Sequence, residues 1–383
     1  MKALWGLALG NFAVGTGALV VAGILPDIAR DTGVTDAGAG QLITVYAVTY
    51  AVCAPLVGAL TGNIDRRLLL AASAFLIAAA NALAAVSTEF SWLLAARVAA
   101  AVGAALFSPG AAAVATMMVP PERVASAISI VFGGFVISSL LGVPLGTWIG
   151  GAFGWPVTFW FVAALAALAG ITTLFAIPGG LRAEGASFRA LGRVLADRRL
   201  MVALSMGATN MASQFIPYTF IALLLIQWAG ATTEGITAVF LTFGLASLVG
   251  NVISGRASDR FGPEPTLLAG MIALPLVLAG LGLMQFGLVA AAVLLAVWGM
   301  CGFSFAAAQQ ARLVRLAPDL RGVVLSLHAS SMYVGQALGA AVGALVLQDV
   351  GMSALGWAGA AMALLTLTLF MVSRWQWRGH RPL

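Results

Sequence analysis

Between one turn and the next, this chain is a succession of apolar runs too long for the interior of a soluble domain. A bilayer core takes about 20 apolar residues per helix. Twelve segments reach that length: 4–26, 38–60, 68–87, 91–117, 124–150, 156–178, 200–227, 235–255, 265–285, 288–311, 322–347 and 352–373. Lipid offers no hydrogen bonds to exposed backbone, so each run has to satisfy its own N–H and C=O groups and fold as a helix. Composition agrees on the class: 61% of 383 residues are apolar and 8% charged, where a soluble domain carries about 25% charge. The expected fold is all-α and integral to a membrane, with twelve transmembrane helices. The first run, Leu4 to Leu25, exceeds a signal-peptide core and is kept as a span.

A net charge of +6 would suggest nucleic acid in a soluble chain. Here the arginines belong beside lipid headgroups, so the bilayer is the expected partner and nucleic acid is not. Cys53 and Cys301 sit alone in separate apolar runs and the two histidines do not cluster, so no metal site or cofactor is expected. An even number of spans puts both termini on one side. Seventeen of nineteen basic residues, from Lys2 through Arg381, share that side, leaving Arg30 opposite and Arg97 inside a span. The positive-inside rule makes it the cytoplasm of a bacterial inner membrane.

The charged run Leu181 to Arg199 divides the chain into 1–180, 181–199 and 200–383. Nineteen residues cannot bury a core of their own, so this is a strap between two membrane halves. Phe188, Leu191 and Leu195 form an apolar stripe, Ser187 is placed to cap, and arginines lie opposite, the pattern of a short helix resting on a membrane surface. The halves also repeat at an offset of 197: Gly10, Gly33, Gly38, Gly58, Gly142, Gly146 and Gly154 meet Gly207, Gly230, Gly235, Gly255, Gly339, Gly343 and Gly351, and Pro121-Glu122 meets Pro318-Asp319. Chance would match about two to three glycines, so the offset marks a duplicated six-helix unit.

Two loops carry related motifs. Gly58-Ala-Leu-Thr-Gly62-Asn-Ile-Asp65-Arg66-Arg67 lies between spans two and three, and Gly255-Arg-Ala-Ser-Asp259-Arg260-Phe-Gly262 between spans eight and nine. A glycine lets a helix end tightly, and the charges either stay solvated or pair with neighbouring helix ends to hold one closed state. These motifs resemble the loop signature of the major facilitator superfamily, with Gly62 where the signature has aspartate. Asn11-Phe-Ala-Val-Gly-Thr-Gly in span one, Arg97 and Gly103 in span four, and Gly154-Trp-Pro-Val-Thr-Phe-Trp at span six resemble the bacterial drug:proton antiporter branch, near the sugar-efflux and chloramphenicol-resistance members. The resemblance implies two pseudo-symmetric six-helix bundles with a site between them at mid-membrane. Relatives of that branch often carry a glutamate where this chain has Ala18.

Span five bears small residues four apart at Gly134, Ser138, Gly142, Gly146 and Gly150, and span eleven repeats them at Ser331, Gly335, Gly339 and Gly343. Such stripes let helices approach closely in lipid. Gly142-Val-Pro144-Leu-Gly146 resembles the antiporter motif of span five, which implies that this span slides or bends against the opposite half.

Ionisable groups inside the bilayer cost at least about 2.5–3.5 kcal/mol and face the protein interior or a wet cavity. Arg97 either snorkels to the outer headgroups or, as the resemblance implies, bonds across to span one near its bend and couples substrate to proton movement. Asp27 belongs to the outer loop or titrates as the outer gate opens. His328 is a structural hydrogen-bonder or a proton exchanger. Asn11, Tyr46, Tyr50, Asn210, Gln214, Tyr218, Gln309, Gln310, Tyr333 and Gln336 are the candidate cavity lining. The resemblance places their spans around the central cavity. Amides and aromatics with little charge suit a small, neutral or weakly cationic amphiphilic solute, drug-like or sugar. The expected function is secondary active efflux by alternating access, as proton antiport, in a monomer. An uncoupled uniporter of a sugar or nucleoside and a non-transporting membrane sensor are the alternatives. No nucleophile-base pair points to an enzyme.

Overall fold

Several of the described helices begin where the sequence supplies a side-chain cap. Thr35 Oγ1 accepts the Gly38 N–H at 3.0 Å, Asp65 Oδ1 accepts that of Arg67 at 2.9 Å, and Asp197 Oδ1 accepts those of Arg199 and Leu200 at 2.8 and 3.3 Å. Each satisfies N–H groups that a helix start leaves orphaned. The computed structural model describes residues 2–61, 64–120, 123–182, 188–283 and 287–378, and among them all regular structure is helical. Gly62, Pro121, Glu122 and Ser187 lie outside the described residues.

The first half runs α1 (Lys2–Leu19), α2 (Val21–Thr32), α3 (Asp36–Ala39), α4 (Gln41–Leu60), α5 (Arg66–Val86), α6 (Phe90–Met117), α7 (Val124–Ile137), a π-helical turn (Ser138–Gly142), α8 (Val143–Phe153) and α9 (Trp155–Ala176). The strap holds α10 (Phe188–Ala196). The second half follows as α11 (Arg198–Tyr218), α12 (Ile221–Ala229), α13 (Thr233–Phe261), α14 (Pro263–Leu283), α15 (Leu288–Leu316), a short turn (Pro318–Leu320), α16 (Arg321–Asp349) and α17 (Ala354–Arg378). Among the described residues, eleven helical stretches are long and apolar enough to cross a membrane, and the α1–α2 pair, bent by 47°, makes a twelfth when counted as one span.

The two halves break their first span at nearly equivalent places. In span one the interruption falls at Val20, where Thr16 Oγ1 donates to the Phe12 carbonyl at 2.8 Å, a side-chain bond that loosens and bends helices. In span seven it falls at Thr219 and Phe220, just after Pro217, which has no N–H to continue the ladder. Backbone geometry is duplicated as well. Gly33 and Gly230 close their helices with φ of 69° and 57°, and Gly154 and Gly351 turn the chain with φ of 90° and 112°.

Among the described residues, span five alone carries a π turn. The Val143 N–H reaches back five residues to the Ser138 carbonyl, because the next residue, Pro144, has no N–H to keep the α pattern. Its counterpart in span eleven is Ala341, and α16 runs through without interruption.

Packing divides the chain into two units, 1–185 with 231–241, and 186–230 with 242–383. Inside the first, the small-residue stripe faces span one. A Cβ at Gly134, Gly142, Gly146 or Gly150 would run into Ala8, Thr16, Val20 or Ile24 respectively. Inside the second, Gly335, Gly339 and Gly343 meet Ala208, Ala212 and Ile216 of span seven in the same way. The strap departs from its expected pattern. Val194 is its docked residue, fully buried with Leu200, Ala203, Leu204, Leu313, Ala317 and Val324, whereas Leu195 is exposed. The stripe read from Phe188, Leu191 and Leu195 misses this because α10 turns its Val194 face onto α11 and α16 rather than lying free.

Candidate functional site

In the first unit, polar chemistry converges on the bend of span one. Arg97 reaches out of α6, 1% exposed, and donates from Nη1 to the Gly17 carbonyl at 2.8 Å and from Nε to the Leu42 carbonyl at 3.3 Å. Its guanidinium lies over the Tyr46 ring, 4.3 Å from the centroid, while Nη2 has no partner among the described residues. The side chain therefore points into the protein and ties spans one, two and four together. No carboxylate pairs with it among the described residues, and buried Ala18 follows the carbonyl it grips.

Asn11 is fully buried and engaged at both ends of its amide. Nδ2 donates to the Val131 carbonyl at 3.1 Å and Oδ1 accepts from Ser108 Oγ at 2.5 Å, so it fastens spans one, four and five. Tyr46 and Tyr50 are buried on α4. Asp27 pairs instead with Arg30 one turn on, at an exposed end of span one, and neighbouring Asp31 accepts from Trp155 Nε1 at 2.9 Å.

The second unit builds its own polar line. Gln214 Nε2 donates to Asn210 Oδ1 at 3.0 Å, and Gln214 Oε1 accepts from Trp298 Nε1 at 3.3 Å. Gly302 gives the amide room, since a Cβ there would strike it. Tyr218, Phe243, Phe215 and Trp298 close an aromatic cluster around this amide, with Tyr218 and Phe243 each edge-on or tilted to their neighbours. Gln309 Nε2 donates to the Ala203 carbonyl at 2.7 Å. His328 is 1% exposed, next to Gly207 and the Phe305 ring. Gln336 is buried, Tyr333 half-buried and Gln310 exposed.

The two loop motifs behave differently. Asp65 caps α5 and also accepts the Gly180 N–H at 2.6 Å, which with its other amide bonds holds the carboxyl below the usual carboxylate range. The Arg66 N–H donates to the Leu181 carbonyl at 2.8 Å and its buried side chain reaches Thr61 at 3.5 Å, so this loop is fastened to the start of the strap. Arg67 is half-buried, and Gly58 lies within α4. In the other copy Gly255 has open space around it, Asp259 and Arg260 are exposed, Arg260 rests on the Phe261 ring, and Gly262 ends α13 with a φ of 89°.

Sequence reasoning missed two features. Trp298 is fully buried and completes the Gln214 bond, a role signalled only by an indole in mid-span. Arg312, counted with the solvated arginines, is 2% exposed. It donates to Ser373 Oγ at 2.9 Å and lies 3.7 Å from Glu264, which also holds Arg374 at 3.3 Å.

Comparison with known proteins agrees with this architecture. The sequence matches the Major Facilitator Superfamily over residues 7–327 and 220–382. It is 33% identical to YbcL, an MFS-type transporter of Bacillus subtilis, over 92% of this chain and 91% of that one. It is 33% identical to a chloramphenicol resistance protein of Streptomyces lividans, over 90% and 88%. A probable sugar efflux transporter of Mannheimia succiniciproducens is 28% identical over 96% and 92%. Among solved structures, a bacterial homologue of the human lysosomal transporter Spinster, inward-facing and unoccupied, superposes with a TM-score of 0.76 at 18% identity over 97% and 95%.

Proposed function

The chain belongs to the major facilitator superfamily, a multi-pass membrane transporter, and from that premise we propose that it exports a small, neutral or weakly cationic amphiphilic solute by alternating access, driven by proton antiport. The observation that carries this reading is Arg97. A full charge kept inside a bilayer costs at least about 2.5–3.5 kcal/mol, more than packing alone explains. Its bonds to Gly17 and Leu42 sit beside the bend of span one, so any movement of that bend has to break or remake them. Proton occupancy that favours one arrangement of this joint over the other shifts the balance between inward- and outward-open states.

Export is supported by relatives named for chloramphenicol resistance and sugar efflux, which leave a drug-like compound or a sugar as the solute class. Taken as the lining, the amide and aromatic groups of Gln214, Trp298 and Tyr218 suit such a solute better than an anion. Basic residues gathered on one side support cytoplasmic termini in a bacterial inner membrane. We take the monomer as the working unit and the proton as coupling ion. Everted vesicles test the reading: chloramphenicol, sugars and nucleosides are offered in turn against a preformed proton gradient. A solute that is transported should collapse the gradient, and transport of any solute without collapse would refute antiport. Ala18, where relatives of the antiporter branch often carry a glutamate, favours a second reading, uncoupled uniport. Replacing Asp27 and His328 together separates the two, because a uniporter keeps its downhill flux.

A further inference from the structure

Inside a bilayer a buried polar group without a partner is costly, and His328 is ionisable as well. The ring is 1% exposed and neither nitrogen has a hydrogen-bond partner among the described residues. A neutral imidazole offers one donor and one acceptor, so a purely structural histidine would be expected to use at least one of them. Around the ring lie a glycine, an aromatic ring and Ser331, whose hydroxyl is committed to the His328 carbonyl. A Cβ at Gly207 of α11 would sit 3.0 Å from Nδ1, and the Phe305 ring of α15 lies 6.3 Å away, centroid to centroid.

One turn along α15 from Phe305 is Gln309, fully buried, whose Nε2 is committed to the Ala203 carbonyl one turn before Gly207. Its Oε1 has no partner among the described residues. An acceptor without a partner and a ring without a partner thus sit on neighbouring helices, α15 and α16, each packed against α11.

We propose that His328 is a proton-binding site within the second unit, where the protonated ring donates to the amide oxygen of Gln309. Protonation turns both ring nitrogens into donors, and Gln309 supplies the acceptor for one of them. On α15 one turn beyond Gln309 stands Arg312, which lies 3.9 Å from the sulfur of Met206, the neighbour of Gly207. Glu264 offsets that charge and is itself shared with Arg374. The remaining ionisable groups on the three helices are Arg198 and Arg199 at the start of α11, Arg315 at the end of α15, Arg321 and Asp349 at the ends of α16, and the weak acids Tyr218, Cys301 and Tyr333.

The site's use in transport rests on the antiport reading, but its existence is measured without substrate or gradient, so the two fail separately. The full chain carrying His380→Gln leaves His328 as its single histidine. With ¹⁵N-histidine in liposomes, the ring nitrogens should pass reversibly from neutral to doubly protonated as the pH is lowered. A ring fixed in one neutral tautomer throughout overturns the site. Gln309→Glu should make the ring titrate at higher pH, binding its proton at least about tenfold more tightly, and Gln309→Leu should move titration the other way. Titration unchanged in both variants overturns the pairing with Gln309.

Discussion

Ser108 Oγ lies 2.5 Å from Asn11 Oδ1, and this contact joins span four to span one while the other end of the same amide holds span five. Asn11→Leu removes both bonds and strands the Val131 carbonyl in a buried environment, at a cost of about 1–3 kcal/mol. Thermal unfolding in detergent should show the loss, with a smaller one for Ser108→Ala, which leaves the Val131 bond in place.

Adjacent glycines of span five should respond in opposite directions. A Cβ at Gly134 meets the Ala8 backbone, so Gly134→Ala should destabilise by about 1–3 kcal/mol. Nothing lies near a Cβ at Gly133, where alanine should be neutral or stabilise by up to about 1 kcal/mol through helix propensity. Unfolding midpoints of the two variants, measured side by side, check the sign of each.

Arg97→Lys should keep the charge and lose the joint. An ammonium cannot span the Gly17 and Leu42 carbonyls and lie flat on Tyr46 as the planar guanidinium does. Transport should fall by about tenfold or more while the protein still folds; wild-type transport by a folded Arg97→Lys variant would refute the role given to this contact.

The bond from Gly180 to Asp65 should be pH-dependent at the acid end. Asp65 has its carboxyl lowered in the folded state, first by the Gly180 N–H, so its stabilising effect is complete above the unfolded value, near pH 4, and is lost as pH falls through the folded value below it. Hydrogen exchange at the Gly180 amide should quicken across that acid window in the wild type. In Asp65→Asn it should already be fast at neutral pH.

Span number and the duplicated unit are visible in the sequence because lipid imposes a length on each run and left-handed glycines resist replacement. The packing partners are not. Arg312 reads as one more cytoplasmic arginine until α15 is seen to continue to Leu316, which carries that residue back against Ser373 and Glu264. Val194 lies outside the stripe read from the strap because burial there is set by α11 and α16, elements distant in the one-dimensional pattern. The bend of span one has no proline at Val20, so only its threonine hints at it. Arg97 was legible as an intramembrane charge, whereas its acceptors are main-chain carbonyls, which carry no sequence signature at all.

The left-handed glycines at 154 and 351 also give the molecule an internal control. Each has no intruding backbone around its Cβ position, so alanine at either site meets a positive-φ penalty and little else. Two variants of the same kind, one in each copy of a duplicated unit, turn a comparison of phenotypes into a subtraction. Whatever remains after it is the part of the sequence that the two copies no longer use alike.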